Sequence, residues 1–525
     1  MWKEENRKYL LPAIGYLLFS IHGFSQNLLK SRILNLQQDT DLVHASWSIC
    51  VLDIKKDSVV AEYNSNLSLI PASAHKIITT ATALALLKWD FKYETRLEYD
   101  GKLDTVKGIL HGNLYIKGSG DPTLASEAFK KKSDTAALTD QWAKILFAKG
   151  IKKIEGSVIG DATAFEDEMV PYSWIWGDMG NYYGAGSCGL NFKDNKFALY
   201  FKSGTQKGDS TSIKKIFPEI PGMKVINQTF TKGYSDNAYI YGTPYSLVRY
   251  VKGTIPANKN DYEVEGSQPD PPLLCAQSLD SSLRKIGVSI AKKSSTLRNF
   301  LPAAEEFSMT TGDTSTPSLP SPKGKEEHAK HSPFGGAGGG GRIILHTHTS
   351  RTLDKIVTET NMQSNNLFAE TLLKTIAWKK TKFGEDLTGI DIVTNYWKSK
   401  CIDLKGFYMA DGSGLSRFNA VNTKQLSEIL RVIAQDSLLF KKFYESLPVA
   451  GKSGSLGRLC KGTLAENNLR AKSGYMTRVR SYAGYVASKK GNLLSFAIIV
   501  NNYDCTPAIM KDKLEKLMIA IAELE

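Results

Sequence analysis

The most informative stretch of this sequence is Pro71-Ala72-Ser73-Ala74-His75-Lys76, followed by IITTATALALL at residues 77–87. Proline suits the entry to a helix because it has no backbone N–H to donate. The apolar residues behind it recur at intervals of three and four, which predicts a buried helix. Ser73 and Lys76 are three residues apart, so a helical turn would place hydroxyl beside amine. A buried lysine near other cations can lose its proton and act as a base for serine.

The spacing by itself is a weak signal, because three other pairs share it: Ser212/Lys215, Ser282/Lys285 and Ser289/Lys292. What distinguishes Ser73 is its place at the start of a strongly apolar helix.

Length and composition indicate a multidomain globular protein. The chain has 525 residues, with 42% hydrophobic and 10% aromatic residues, and a formal charge of +14. That length predicts two or three domains. The positive charge is scattered and lacks the basic, aromatic patches of nucleic-acid binders, so we expect no nucleic-acid partner. Attraction to an anionic polymer or to a membrane surface fits the charge better, and peripheral membrane association stays open.

The first 25 residues have the pattern of a secretory signal peptide. Lys3, Arg7 and Lys8 precede a short apolar run, and small residues at Gly23 and Ser25 suit cleavage after Ser25. The run is short for a membrane span, although an uncleaved membrane anchor stays open as an alternative. We therefore expect a periplasmic protein. Export would permit disulfides, but the six scattered cysteines do not reveal a pairing, and buried thiols fit equally well.

The domain order follows from changes in predicted secondary structure and composition along the chain. Residues 45–53 and 59–63 predict a hairpin that leads into the Ser73 helix, and residues 95–265 predict a β-rich insertion of one or two small subdomains. A helix at 271–286 is expected to return to the first domain. The predicted catalytic domain is thus discontinuous, comprising residues 26–94 and 266–525. It contains a Ser/Pro/Gly-rich segment at 302–342 that predicts a flexible loop.

Residues 350–443 predict mainly helices. The chain then returns to strands at 468–476, 480–487 and 493–501, with a final helix at 507–524. Strands at both ends with helices between them predict an α/β (α+β) domain in which the terminal strands pair with the N-terminal hairpin.

No cofactor or metal is predicted. The glycine run at 335–341 lacks the Lys-Ser/Thr ending of a phosphate loop. His346 and His348 alternate as on a strand, without a nearby carboxylate or cysteine to complete a metal site.

A reactive Ser/Lys pair needs a second polar group for the leaving amine and a cation for the carboxylate of a substrate. Ser364-Asn365-Asn366 lies between two predicted helices and can point Ser364 and Asn366 into a cleft, whereas the rival Ser235-Asp236-Asn237 has the composition of a turn. A cation can come from Lys-Ser-Gly, which occurs at 202–204, 452–454 and 472–474. Only Lys472-Ser473-Gly474 opens a predicted hairpin, along whose edge an extended peptide could lie.

Taken in order, these motifs resemble the class C low-molecular-mass penicillin-binding proteins, the D-alanyl-D-alanine carboxypeptidase/endopeptidase family. The matching segments are PASAHK (71–76), GSGDPTL (118–124), GDATAF (160–165), SNNLFAETLLK (364–374), DGSGLSR (411–417), LPVAG (447–451) and LRAKSGYM (469–476). Ser473 stands where the family usually has threonine, which keeps the hydroxyl.

The resemblance implies a serine β-lactamase/transpeptidase-like domain and a serine D,D-peptidase that acts on peptidoglycan stem peptides, with β-lactams as covalent inhibitors. It implies Ser73 as nucleophile, Lys76 as base, Ser364 and Asn366 as proton relay and substrate contact, and Lys472 and Ser473 as the carboxylate site. Gly474 and Tyr475 would lie along the substrate, with the Tyr475 N–H at the oxyanion. By motif alone, Asp161 and Arg417 would receive the side chain of the stem peptide.

Two other functions stay open at this point. A β-lactamase or esterase on the same scaffold would use the same residues, and a non-catalytic wall-binding protein would keep the fold without acylation. A structural periplasmic protein would not need such a set of residues.

Overall fold

The computed structural model describes residues 28–130, 137–233, 237–300 and 341–525. The predicted signal peptide, residues 301–340 of the predicted loop, and Ser235-Asp236 of the rival triplet lie outside these ranges. The chain is mixed α/β. Its helices are α1 (28–37), α2 (Lys76–Leu87), α3 (Leu138–Ala148), α4 (Trp176–Met179), α5 (Pro271–Lys285), α6 (Leu353–Gln363), α7 (Asn366–Thr381), α8 (Asp386–Ser399), α9 (Thr423–Gln435), α10 (Ser437–Ser446) and α11 (Pro507–Ala522).

Twenty strands are described, numbered in chain order: β1 (Ser46–Asp53), β2 (Ser58–Tyr63), β3 (Glu94–Tyr99), β4 (Lys102–Asp104), β5 (Ile109–His111), β6 (Leu114–Lys117), β7 (Lys153–Ile154), β8 (Val158–Asp161), β9 (Lys196–Lys202), β10 (Ser212–Phe217), β11 (Lys224–Thr231), β12 (Tyr239–Tyr241), β13 (Val248–Ile255), β14 (Tyr262–Ser267), β15 (Ser289–Ile290), β16 (Ser295–Thr296), β17 (Ile343–Thr349), β18 (Arg470–Met476), β19 (Val479–Ala487) and β20 (Leu493–Asn501).

The central sheet joins the two ends of the chain, as the sequence predicts. Its order is β18-β19-β20-β1-β2, and β1 pairs antiparallel with β20, with Ser46 opposite Asn501. Successive residues of a strand point to opposite faces. In β20, Ile498 and Val500 therefore pack against α1 and α11, whereas Ile499 packs in the core formed by α2 and α6–α10.

Helix starts in this domain follow ordinary capping rules. The Asn422 side chain accepts the N–H of Gln425, and the Gln425 side chain returns a contact to the Asn422 N–H, which fixes the start of α9. Thr506 caps α11, whose first residue is Pro507. The last predicted helix therefore begins at the expected residue.

The insertion forms four smaller sheets around its own core. Their orders are β10-β9-β14, β11-β13-β12, β15-β7-β5-β4 and β16-β8-β6-β3-β17. Helix α5 packs in this core through residues such as Leu279, rather than in the first domain as the sequence suggested. Strand β17 also belongs to it, because it pairs with β3. By packing and pairing, α5 and β17 therefore associate with the insertion, although both lie beyond the predicted boundary at 265.

All six cysteines lie in the described part of the chain, and none is disulfide-bonded. Within the described ranges, no helix is long and apolar enough to cross a membrane.

Candidate active site

Ser73 lies in a short 3-10 turn, Ala72–His75, that leads directly into α2. Lys76 is the first residue of α2, and its Nζ donates to Ser73 Oγ over 2.9 Å. The predicted proximity of hydroxyl and amine is therefore present. The turn takes the place of the first helical turn that the spacing suggested.

Lys76 is fully buried, and three acceptors surround its amine. Besides Ser73 Oγ, Nζ contacts Asn366 Oδ1 at 2.6 Å and the carbonyl oxygen of Ser413 at 2.7 Å. Burial is the main cause that lowers the pKa of Lys76, to about 7, against the opposing charges of Asp411 and Glu370. A substantial fraction of this amine is therefore neutral near pH 7, as a general base requires.

The second loop contributes Ser364 and Asn366. Ser364 caps the end of α6 in a left-handed conformation (φ 60°), and Asn366 begins α7. The Asn366 side chain accepts from Lys76 and donates through Nδ2 to the carbonyl oxygen of Tyr183, 2.8 Å away in the insertion. Both amide atoms of Asn366 are thus occupied, and its orientation is fixed.

The third predicted element, Lys472, lies on β18. Its Nζ donates to Ser364 Oγ at 2.9 Å and to the carbonyl oxygen of Ser473 at 2.7 Å. Lys472 is fully buried, and burial followed by the nearby Lys76 lowers its pKa well below the usual value. Ser364 therefore contacts Lys472 directly, and Lys472 lies close enough to Lys76 for the two charges to repel.

Strand β18 passes directly over the turn that carries Ser73. A Cβ added at Gly474 would lie 2.5 Å from the Pro71 carbonyl oxygen and 2.9 Å from the Ser73 nitrogen, so only glycine allows this approach. Tyr475 follows and is 53% exposed as a residue, at the open edge of the site. Ser473 Oγ contacts Ser455 Oγ at 2.7 Å, so the loop after the second Lys-Ser-Gly copy borders the third copy.

The structure gives Asp161 and Arg417 different partners. Asp161 is buried and forms an ion pair with Arg342 at 2.6 Å. Arg417 is half-exposed and lies 3.7 Å from Asp178. Within the described residues, Asp161 and Arg417 make no contact with one another. Their assignment to one substrate pocket stays a prediction made by motif.

Two buried carboxylates that the sequence did not single out organise the loop beside Lys76. Glu370 accepts the backbone N–H groups of Gly412 and Ser413 at 2.9 and 2.7 Å. Asp411 accepts the N–H groups of Gly414 and Ser416, and the indole N–H of Trp174 at 2.8 Å. These bonds present the Ser413 carbonyl to Lys76. Burial raises the pKa of Glu370 well above its usual value.

A third buried residue links α7 to the insertion. Lys374 Nζ lies 3.0 Å from Glu166 and 3.7 Å from Asp386, and it donates to the carbonyl oxygen of Glu168. The insertion therefore contacts the helix that carries Asn366 at several points, among them Tyr183 and Glu166.

Known proteins are similar to this chain in sequence over most of its length. The D-alanyl-D-alanine carboxypeptidase DacB of Haemophilus influenzae is 24% identical over 460 residues, covering 86% of this chain and 84% of that protein. A D-alanyl-D-alanine carboxypeptidase of an Actinomadura species is 26% identical over 521 residues, covering 95% of this chain and 87% of the relative.

The crystal structure of penicillin binding protein 4 (dacB) from Haemophilus influenzae superimposes with a TM-score of 0.72 at 22% identity, covering 93% of this chain and 97% of that one. This likeness confirms the predicted fold class of an α/β domain with a β-rich insertion. The pattern of the D-Ala-D-Ala carboxypeptidase 3 (S13) family matches residues 29–299 and 339–523. The predicted family is therefore confirmed: this chain belongs to the D-Ala-D-Ala carboxypeptidase 3 (S13) family.

Proposed function

We propose that this protein is a serine D,D-peptidase that hydrolyses D-alanyl-D-alanine bonds of peptidoglycan stem peptides through an acyl-enzyme. The observation that carries the proposal is the contact of 2.9 Å between Lys76 Nζ and Ser73 Oγ, made by a fully buried amine whose pKa is lowered to about 7. The family and the names of its relatives support the substrate class.

Acylation begins when neutral Lys76 accepts the proton of Ser73 Oγ. The oxygen attacks the carbonyl carbon of the penultimate D-alanine. The backbone N–H groups of Ser73 and Tyr475 hold the resulting oxyanion, a kind of contact worth about 3–4 kcal/mol. The close approach of β18 at Gly474 to the Ser73 nitrogen supports this pairing of donors.

The leaving amine then takes up a proton. This proton passes from Lys76 through Ser364 Oγ to the amine nitrogen as the peptide bond breaks and D-alanine departs. Asn366 orients the substrate amide. Water next attacks the ester carbonyl and gives a proton to Lys76. Ser73 Oγ then leaves the acyl group and takes up that proton from Lys76, which restores the enzyme.

The terminal carboxylate of the substrate is bound by Lys472 and Ser473. An ammonium group suits a compact anion. Because the positive charge of Lys472 is disfavoured by burial and by Lys76, an incoming carboxylate stabilises the charged form of Lys472. Ligand charge and site charge are therefore complementary.

β-Lactams acylate the same serine in this proposal, and the name of the similar solved structure, penicillin binding protein 4, supports it. The protein acts in the periplasm, where stem peptides are accessible, after removal of the predicted signal peptide. Carboxypeptidase action on a terminal residue and endopeptidase action on a cross-link use one site, so both belong to the proposal.

The test begins with covalent labelling by a fluorescent penicillin. We expect Ser73→Ala to abolish labelling and Ser212→Ala, a matched control from a pair with the same Ser-x-x-Lys spacing, to leave it unchanged. Labelling of Ser73→Ala, or none of the wild type, would refute the acyl-enzyme.

Product analysis then separates the remaining functions. Release of D-alanine from a pentapeptide, and cleavage of cross-linked muropeptides followed by mass analysis, identify the peptidase. Rapid turnover of nitrocefin without D-alanine release would instead identify a β-lactamase.

A further inference from the structure

A basic groove of about 550 Å³ lies at the carboxyl end of α7. Trp378, Lys379 and Lys382 form one wall of this groove. The opposite wall comes from the start of β3 and the end of β6, including Arg96 and Lys117. Asn366, which contacts Lys76, begins the same helix thirteen residues before Lys379. At 1.5 Å per residue, the basic groove is therefore about 20 Å from the Ser73 site.

Among the residues that the structure describes, five cations and one carboxylate line the basic groove. The carboxylate, Glu94, is already bound to Arg96 at 2.7 Å. In the described ranges, no ion pair forms at the remaining four cations, Lys92, Lys117, Lys379 and Lys382. A concentration of unneutralised charge in a concave surface attracts anions.

The helix end explains only part of this charge. Lys379 and Lys382 lie at the carboxyl end of α7, where cations offset the helix dipole. Lys92 precedes β3 and Lys117 ends β6, so neither owes its position to that dipole. Four cations from three separate segments therefore converge on one space.

The basic groove also has aromatic walls. Lys379 Nζ lies 5.7 Å from the centre of the Phe91 ring, and Lys382 Nζ lies 5.9 Å from that of Trp378. These contacts hold the ammonium groups beside apolar ring faces. A ligand that combines carboxylates with sugar rings fits such walls, because its sugars can pack on the aromatic side chains while its carboxylates bind the lysines.

We propose that the basic groove binds the substrate polymer itself, through carboxylates of peptidoglycan at a distance from the bond being cleaved. This inference rests on the proposed function for the identity of the polymer. A five-residue peptide spans at most about 17 Å, so a single stem held at Ser73 does not reach the groove. A polymer reaches both sites, and occupation of the second raises its effective concentration at the first.

The experiment compares two double charge reversals in the full-length protein. Lys379→Glu with Lys382→Glu alters the groove. Lys398→Glu with Lys400→Glu makes the same charge change at the carboxyl end of α8 and serves as the matched control. The probe is purified insoluble peptidoglycan in a pelleting assay at fixed salt, with a second sample whose carboxylates have been converted to amides.

We expect the groove variant to bind native peptidoglycan about tenfold more weakly than wild type, and the control to stay within about twofold. Amidation of the polymer should weaken wild-type binding to a similar degree. Release of D-alanine from a soluble pentapeptide, and penicillin labelling of Ser73, should remain within about twofold in both variants.

Equal loss in the two variants would overturn the groove assignment, because net charge alone would explain it. The assignment would also be overturned if amidation of the polymer left wild-type binding unchanged, or if the groove variant bound peptidoglycan as tightly as wild type. Failure of Ser73 to react with penicillin would instead refute the proposed function, and the pelleting comparison would still report on the basic groove.

Discussion

The Nζ atom of Lys76 lies 2.7 Å from the carbonyl oxygen of Ser413, in addition to its contact with Ser73. In the ammonium form, Lys76 donates to all three acceptors. After it loses one proton, the neutral amine keeps two hydrogens for that carbonyl and for Asn366 Oδ1, and its lone pair faces the serine hydroxyl. The arrangement therefore suits a base that accepts a proton from Ser73.

The pKa of Lys76 predicts the pH dependence of acylation. Because burial lowers this pKa to about 7, the neutral base is depleted as the pH falls below that value. We expect the second-order rate of penicillin acylation to rise through pH 7 and to fall about tenfold per unit well below it. Stopped-flow measurements from pH 5.5 to 9, with circular dichroism as a check on folding, test this. A rate independent of pH between 6 and 8 would contradict it.

The two Lys-Ser-Gly copies near the site give a matched pair of substitutions. Lys472 is buried and bonded to Ser364, whereas Lys452 is exposed. We expect Lys472→Met to slow acylation by at least about 100-fold, because it removes a charged donor from the site. Lys452→Met should stay within about threefold. A larger effect at Lys452 than at Lys472 would show that the carboxylate site has been assigned to the wrong lysine.

Glu370→Gln tests the support of the Ser413 loop. The amide group cannot accept both N–H groups that the carboxylate now holds, so one buried donor loses its partner. We expect a loss of about 1–3 kcal/mol in the free energy of unfolding, together with slower acylation. Denaturant unfolding and penicillin labelling measure the two effects. The exposed Glu445→Gln is the control, and unchanged stability of Glu370→Gln would rule out the supporting role.

Gly474→Ala tests the close approach of β18 to Ser73. The added methyl group would meet the Pro71 carbonyl and the Ser73 nitrogen, so either the strand or the turn must move. We expect a destabilisation of about 1–3 kcal/mol and a marked loss of acylation. Gly177→Ala adds a methyl group whose nearest neighbour is 3.9 Å away and should have little effect. Normal acylation by Gly474→Ala would show that the contact does not position Ser73.

The sequence predicted contacts of the candidate site where the residues involved lie in regular, local patterns. The interval between Ser73 and Lys76 placed hydroxyl and amine in contact, and the hairpin after Lys472 distinguished that lysine from Lys452. In both cases the relevant neighbours are close in sequence, or their secondary structure has a clear period. The terminal strands could be paired for the same reason, since β1 and β20 are both strongly apolar.

The rest depended on distant packing, which no local pattern records. Glu370 accepts hydrogen bonds from backbone N–H groups of a loop more than forty residues away. A carboxylate whose partners are backbone groups leaves no characteristic spacing of side chains in the sequence. Helix α5 has an ordinary apolar stripe, which predicts a helix but not the core against which it packs. Arg417 likewise gives no sign in sequence that its neighbour is Asp178.

Helix α7 carries Asn366, Glu370 and Lys374 at successive intervals of four, so all three fall on nearly the same side of the helix. Asn366 contacts Lys76, Glu370 accepts backbone N–H groups of the neighbouring loop, and Lys374 forms an ion pair with Glu166 of the insertion. An attempt to build a minimal enzyme by excising residues 94–349 would therefore strip Asn366 of its Tyr183 partner and remove one of the two carboxylates that neutralise Lys374. The insertion is a structural part of the candidate active site, and we expect a version of this protein without it to be inactive.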